Sequence, residues 1–498
     1  VVLWFVKRYS PLPWMSLFFY LTLQFFAHSM NLFRQSIAAT ICLLAYPFLK
    51  KRKLLPFVLV VLLAAAFHTS VLFFLPFRAI TSLWTPGGMM LPTSVCILLM
   101  MFLFAVFACL LVIRLTHRLC PNASVAATSI VIVMFLLGSN ASYLHFRLNF
   151  YSVPFAASLM FTTLGLWLWL KATPERHPGR GEHVHVGSWS VAGAQPLSLR
   201  HLAAGAACIA ANFGCRPTFA LSALLCFPIF WPQITSLLQG LKSRSLPLRK
   251  ALRAPAAVII PALIVVLPLM AYNVARFGSP LDFGNDYQMT VTDMTRFVQP
   301  TANFLPSVGA YLFLPLRFTS EFPFIGMTPM AFREWGYYEL MAGGLFTACP
   351  LLLLALAAPF LRRRMHRSGY WGLATCSLAL AVLLAVFDSH TAGLGWRYIC
   401  DFGWMMAIAA LAPMLYLMHP GGDAIAAGAP DPSERNEPRR DVTKRHPMVL
   451  ACVRGLVAAV LMASIILAVL ACFIPGRDDS LINNNPVLYD TVVAWFRL

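Results

Sequence analysis

Long apolar runs, broken by short polar or basic punctuation, recur along the whole chain. About 20 residues are needed to cross hydrocarbon as a helix. On that length the runs predict spans at 12–30, 33–49, 55–77, 93–115, 123–143, 151–170, 202–214, 217–234, 254–275, 341–361, 368–388, 397–418 and 448–474. The expected fold class is all-α: a polytopic membrane helix bundle of about 13 transmembrane helices, because lipid admits helices whose backbone groups are satisfied within the segment. The pair 202–214 and 217–234 is short in each half and broken by NFGCRP, so one re-entrant hairpin stands beside two spans. Stretches 171–200 and 419–447 are polar and rich in Gly and Pro, and read as flexible linkers. The stretch 276–340 is different. It mixes Arg, Asp and Glu with many aromatics, unlike a linker, and reads as a long folded loop.

Charge assigns the sides. With Lys7 and Arg8 in the cytoplasm, strict alternation places KKRK (50–53), Arg114 and Arg118, both linkers, KSRSLPLRK (242–250) and RRRMHR (362–367) inside. About 26 of the 38 Lys and Arg fall there, as the positive-inside rule expects. The N-terminus is then cytoplasmic, and 276–340 and the C-terminus lie outside. The same rule accounts for the net charge of +20, so no nucleic-acid partner is implied. A 59% hydrophobic, 11% charged composition with mean hydropathy +0.73 excludes an ordinary water-soluble globule. The 12 Cys sit mostly in apolar runs without a CxxC pair and read as small packing residues. The opening VVLWFVKRYS looks like the end of a cut helix, so a truncated N-terminus is expected.

The cations divide by type. All eight Lys fall on the cytoplasmic side, while the outer side and outer helix ends carry only Arg, among them Arg34, Arg147, Arg216, Arg276, Arg317 and Arg397. Arg offers a planar fork that matches phosphate or carboxylate; Lys is a hydrated point charge. A cation near bilayer depth costs roughly 2.5–3.5 kcal/mol on insertion scales, so it needs a partner or a task. Arg216, Arg276 and Arg397 are the candidate phosphate holders. The alternative for each is an interfacial anchor that snorkels to water.

Candidate proton acceptors are Asp282, Asp286, Glu334, Asp388, His390 and Asp401. Asp401 lies four residues after Arg397, which suits a base beside a phosphate holder and equally an ion pair within one helix. Asp282 and Asp286, also four apart, could bind a divalent cation, but Gly284 between them suits a turn. No cofactor is otherwise indicated. Tyr287 and Trp396, with other outer aromatics, could stack on sugar faces or simply mark the membrane interface. No Walker loop, dinucleotide fingerprint, G-x-S-x-G or HExxH is present, so nucleotide hydrolysis is not expected.

Two resemblances sharpen the reading. SMNLFRQSIAATICLLAYPFLKKRK followed by VVLLAAAFHTSVLFFLPF, within 1–80, resembles the EpsG family of exopolysaccharide polymerase-like membrane proteins. The matching pieces are Arg34, Gln35 and Ala38 at one helix start and Phe67, His68 and Ser70 late in the next. Arg34, Gln35 and His68 are the substrate-binding candidates this resemblance implies. Residues 92–498 are similar to bacterial GT-C superfamily glycosyltransferases through GCRPT (214–218), N-x-x-RFGSP-x-x-FG-x-x-YQ-x-T (273–290), Gly343-Gly344 and WRY-x-x-DF (396–402). That resemblance implies transfer of a sugar from a polyprenyl phosphate or pyrophosphate carrier to a glycan or lipid-linked acceptor on the outer leaflet of a bacterial-type plasma membrane. GT-C enzymes usually carry an acidic residue in the first outer loop, whereas HSMNLFR and FRAITSLWTPGGMM hold none. Four functions therefore stand: a GT-C glycosyltransferase, an EpsG or O-antigen type polymerase, a lipid or sugar transporter, and an inactive fusion joined near 80–92. The absence of a visible internal repeat, and ionisable residues at helix ends rather than mid-membrane, favour an enzyme over a transporter.

Overall fold

The computed structural model describes residues 2–9, 40–41, 43–48, 53–65, 93–148, 150–173, 197–284, 299–367, 369–419, 447–476 and 481–496. The chain divides into two compact units, Val1–Val95 with Leu269–Val298 and Cys96–Pro268 with Gln299–Leu498.

The architecture is a helical membrane bundle. Six helices among the described residues are long and apolar enough to cross a membrane: Val95–Leu119, Val153–Ala172, Arg253–Phe277, Trp371–Thr391, Trp396–Met418 and Met448–Ala471. A seventh is reached if Pro217–Ile229 and Trp231–Lys242, bent by 63°, form one broken span. This is fewer than the 13 or so expected. Residues 12–30 and much of 33–49 and 55–77 lie outside the described residues. Other differences have local causes. The 123–143 run forms only Val125–Gly138 as a continuous helix, because Asn140 turns left-handed (φ 55°) before a new short helix begins. The 341–361 run gives a four-residue helix, Leu345–Ala348, a break at Cys349 and a 3-10 stretch over Pro350–Leu361. Hydropathy sums composition; it is indifferent to the Pro residues at 350 and 359 that interrupt backbone hydrogen bonding.

In the first unit, Ala45, Phe57, Val61 and Ala64 pack as a small apolar cluster with Ile41 and Phe48, and Phe5 meets Tyr46 edge-on at 5.4 Å. The end of the Arg253–Phe277 helix belongs to this unit. It is followed by a turn at Gly278 (φ +80°) and another at Gly284 (φ +77°).

The second unit is built around Ile399–Met418, in which every residue except Leu417 is buried. A helix enclosed by protein on all sides must be apolar all round, as this one is apart from Asp401. It packs on Trp371–Thr391, on the 350–361 stretch and on Val125–Gly138. Close approach to the last of these rests on glycine: a Cβ on Gly403 would sit 2.0 Å from the Gly138 carbonyl oxygen. Small residues are what let membrane helices come this near.

Helix ends in this unit sort into two groups. Arg114 and Arg118 donate to the Thr173 and Leu170 carbonyls, and Arg454 donates to the Met418 carbonyl at 2.8 and 3.1 Å. These cations cap helix C-termini, satisfying orphan carbonyls and the negative end of the dipole. Arg114 and Arg118 belong to the set expected inside from charge, whereas Arg454 falls in the 448–474 run. At the opposite ends the 139–147, 299–344, 391–398 and 472–476 segments come together. Asn140 Nδ2 donates to the Trp396 carbonyl at 2.8 Å, and Glu339 N to the Leu394 carbonyl at 2.8 Å. The 276–340 loop is not irregular throughout. It holds a helix, Phe304–Phe313, and an antiparallel pair of two-residue strands, Arg317–Phe318 and Ile325–Gly326.

Candidate functional site

Two buried charge groups occupy the end of the second unit opposite the carbonyl-capping arginines. The first centres on Arg216. Because Pro217 follows it, Arg216 is pushed out of helical geometry to φ −148°, ψ 106°, ending the Leu199–Cys215 helix. Its side chain thereby reaches a different helix. Nε donates to Asp401 Oδ1 at 2.5 Å and Nη2 to Asp401 Oδ2, a two-pronged pair. Asp388 Oδ1 lies 3.7 Å from the same Nη2. Both carboxylates are essentially inaccessible, at 0% and 2% side-chain exposure against 21% for Arg216. The guanidinium also lies over Phe155 (4.3 Å) and Tyr398 (5.0 Å).

The second group centres on Arg397 and Glu339. Arg397 stands in the 3-10 turn Trp396–Tyr398 that opens the buried helix. Tyr311 clamps the approach to that turn, donating to the Gly393 carbonyl at 2.7 Å and accepting from Gly395 N at 2.9 Å. Arg397 lies near the rings of Tyr398 (4.9 Å), Tyr337 (5.5 Å) and Tyr151 (5.6 Å), and Nη2 donates to the Tyr398 hydroxyl at 3.1 Å. Among the described residues it has no carboxylate in ion-pair contact. Glu339 is within its electrostatic reach. A parallel bridge between Tyr338 and Leu394 holds Glu339 there. Glu339 Oε1 pairs with Arg147 Nη1 and lies 3.4 Å from the Tyr143 hydroxyl, while Oε2 is buried with no hydrogen-bond partner among the described residues. Burial, and then the Glu339 charge, hold the Tyr143 phenol well above its ordinary range, so it remains a neutral donor. Tyr398 touches both Arg216 and Arg397 and makes the two groups one continuous polar seam.

Glu339 also borders a cavity of about 820 Å³, whose walls include Arg147, Arg317, Glu321, Tyr338 and Ile474. That volume is within the range of small-molecule sites.

Of the candidates named from the sequence, Arg216, Arg397 and Asp401 lie along this seam, and two contacts differ from expectation. Asp401 does not pair with Arg397 along one helix. Arg397 precedes the helix in a 3-10 turn, and Asp401 is held by Arg216 from 185 positions away. Trp396 offers no open face for a sugar: it is buried, edge-on to Tyr143 at 5.4 Å, with its carbonyl bound by Asn140. His390 is exposed and packs edge-on to Phe304, two residues from buried Asp388 but outside the seam. In the first unit, Arg276 donates to the Tyr272 hydroxyl at 2.7 Å, and Asp282 Oδ1 accepts from Gly284 N at 2.7 Å, the Asx turn that Gly284 suggested. Arg34, Gln35, His68, Asp286 and Tyr287 lie outside the described residues. No cluster of three His, Cys, Asp or Glu suited to a metal occurs among the described residues. Sequence reading missed Glu339 and Tyr143. Their signal was weak: one acid among many polar residues in a long loop, and one Tyr at a presumed span end.

The EpsG family model matches residues 1–125, about a quarter of the chain, which extends the N-terminal resemblance into the Thr93–Leu119 helix and the segment after it. The polar seam lies outside that match. No curated protein and no solved structure matches the chain. The fold is that of a multi-pass helical membrane protein with an EpsG-like N-terminal quarter.

Proposed function

We propose that the chain is a membrane glycosyltransferase of cell-surface polysaccharide assembly, taking its sugar from a polyprenyl phosphate or pyrophosphate carrier on the outer leaflet. The observation that carries this is Arg397: a half-buried guanidinium ringed by three tyrosines, without a carboxylate in ion-pair contact among the described residues, beside a buried glutamate at the wall of a large cavity. Transfer from a lipid phosphate needs a cation for the leaving phosphate and a carboxylate for the proton of the attacking hydroxyl. In this reading the acceptor hydroxyl attacks the anomeric carbon and the bond from that carbon to the phosphate oxygen breaks. Arg397 holds the departing phosphate, and Glu339 takes the proton. Arg216, already neutralised by Asp401, sets the field behind Tyr398 rather than binding phosphate. Asp282 is turn-forming and leaves the role of base to Glu339.

The EpsG match supports the same class of chemistry but favours a second arrangement, a polymerase whose carrier site is formed by Arg34, Gln35 and His68. One experiment separates them. Binding of undecaprenyl phosphate to the detergent-purified chain is measured for wild type and for Arg34→Gln, Arg216→Gln, Arg276→Gln and Arg397→Lys. Loss at Arg397→Lys, which keeps charge but not the fork, supports the seam. Loss confined to Arg34→Gln moves the site to the EpsG-like segment. No binding by folded wild type ends both.

A further inference from the structure

The seam accounts for a donor phosphate and a proton acceptor, yet the cavity beside it is far larger than either needs. Its walls have a distinct chemistry. On one side lies the Arg147–Glu339 pair, whose charges cancel. At the rim stand Arg317 and Glu321, both exposed and neither in an ion pair among the described residues. These four residues sum to zero charge. Between them lie a half-exposed aromatic, Tyr338, and apolar Ile474 and Pro475. An aromatic face, apolar patches and paired donors and acceptors without net charge suit a ligand that is polyhydroxylated and uncharged; a charged ligand would meet no excess of the opposite sign. A volume of about 820 Å³ exceeds what an ion or headgroup phosphate requires and has room for a short oligosaccharide.

We infer that this cavity is the acceptor subsite, holding the end of a neutral glycan chain so that its terminal hydroxyl faces Glu339. The inference rests on the proposed glycosyl transfer and adds to it the class and place of the acceptor. Arg317 and Glu321 serve the hydroxyls at the rim, and Tyr338 offers its ring to a sugar face.

Gly326 provides the test. It lines the cavity and pairs with Arg317 across the strand pair. A Cβ there would meet Thr319 Cγ2 at 3.5 Å and Arg317 Cδ at 4.0 Å, both ordinary contacts with lining residues, so a side chain enters the cavity without backbone strain. Full-length chain in detergent is applied to an array of neutral, uronate-bearing and amino-sugar oligosaccharides. Wild type and Gly326→Ala are expected to retain neutral oligosaccharides preferentially, and Gly326→Trp to bind them at least about tenfold more weakly, the loss typical of blocking a central contact. Should Gly326→Trp fail to fold by size-exclusion profile, Glu321→Ala on the exposed rim reads the same loss. No glycan binding by wild type, a preference for charged glycans, or binding unchanged by these substitutions overturns the inference. Undecaprenyl phosphate binding is measured on the same samples. Its loss in wild type condemns the donor reading, whereas its retention beside absent glycan binding condemns only the acceptor subsite.

Discussion

Replacing Arg216 with Met leaves Asp401 and Asp388 in one buried pocket without the cation between them. Removing one partner of a buried ion pair costs about 3–5 kcal/mol, because the other charge stays desolvated. Arg216 retains 21% side-chain exposure, which points to the lower end, about 3 kcal/mol. Asp401→Asn differs in kind. The amide oxygen still accepts from Nε, and Asp388, 3.7 Å from Nη2, remains to balance the guanidinium, so the cost falls to about 1–1.5 kcal/mol, that of one hydrogen bond. The double change Arg216→Met with Asp401→Leu removes both charges and replaces them with apolar volume. It should cost less than Arg216→Met alone. Reversible unfolding in mixed micelles by titration with SDS, followed by tryptophan fluorescence, reads all three. Equal costs for Arg216→Met and Asp401→Asn, or a double variant that costs as much as Arg216→Met alone, would refute the claim that Arg216 serves to neutralise a buried carboxylate pair.

Other outcomes follow from single contacts. Gly403→Ala should sharply reduce folded yield, since its Cβ has only 2.0 Å to the Gly138 carbonyl, whereas Gly455→Ala, with no atom within 4 Å, should leave the melting temperature unchanged. Asp282→Asn should keep glycan synthesis in cells, because the amide oxygen can accept from Gly284 N as the carboxylate does; abolished synthesis with normal protein levels would restore Asp282 as the base. Glu339→Gln should suppress glycan synthesis while leaving undecaprenyl phosphate binding intact; if both are kept, the proton goes elsewhere. Arg454→Ala should lower stability by about 1–2 kcal/mol in the micelle titration, for the loss of both bonds to the Met418 carbonyl.

Composition and local pattern determined much of this protein. Hydropathy alone established a helical membrane bundle, and the run 397–418 became the buried central helix. Pro217 determined that Arg216 would leave the helix before it, and Gly284 that Asp282 would sit in a turn. The absence of Lys from the side expected outside pointed to Arg216 and Arg397 as candidates. These are properties of neighbouring residues, which one-dimensional reading captures. Only the tertiary structure decided the partners. The four-residue spacing of Arg397 and Asp401 suggested a pair along one helix, but the 3-10 turn gives Arg397 to a cage of tyrosines and leaves Asp401 to Arg216. Glu339 meets Arg147 across 192 positions and becomes buried because the 338–394 bridge draws the loop onto the bundle. Such pairings depend on how closely helices approach, here down to glycine against backbone at 403 and 138, and a hydropathy profile contains no record of that distance.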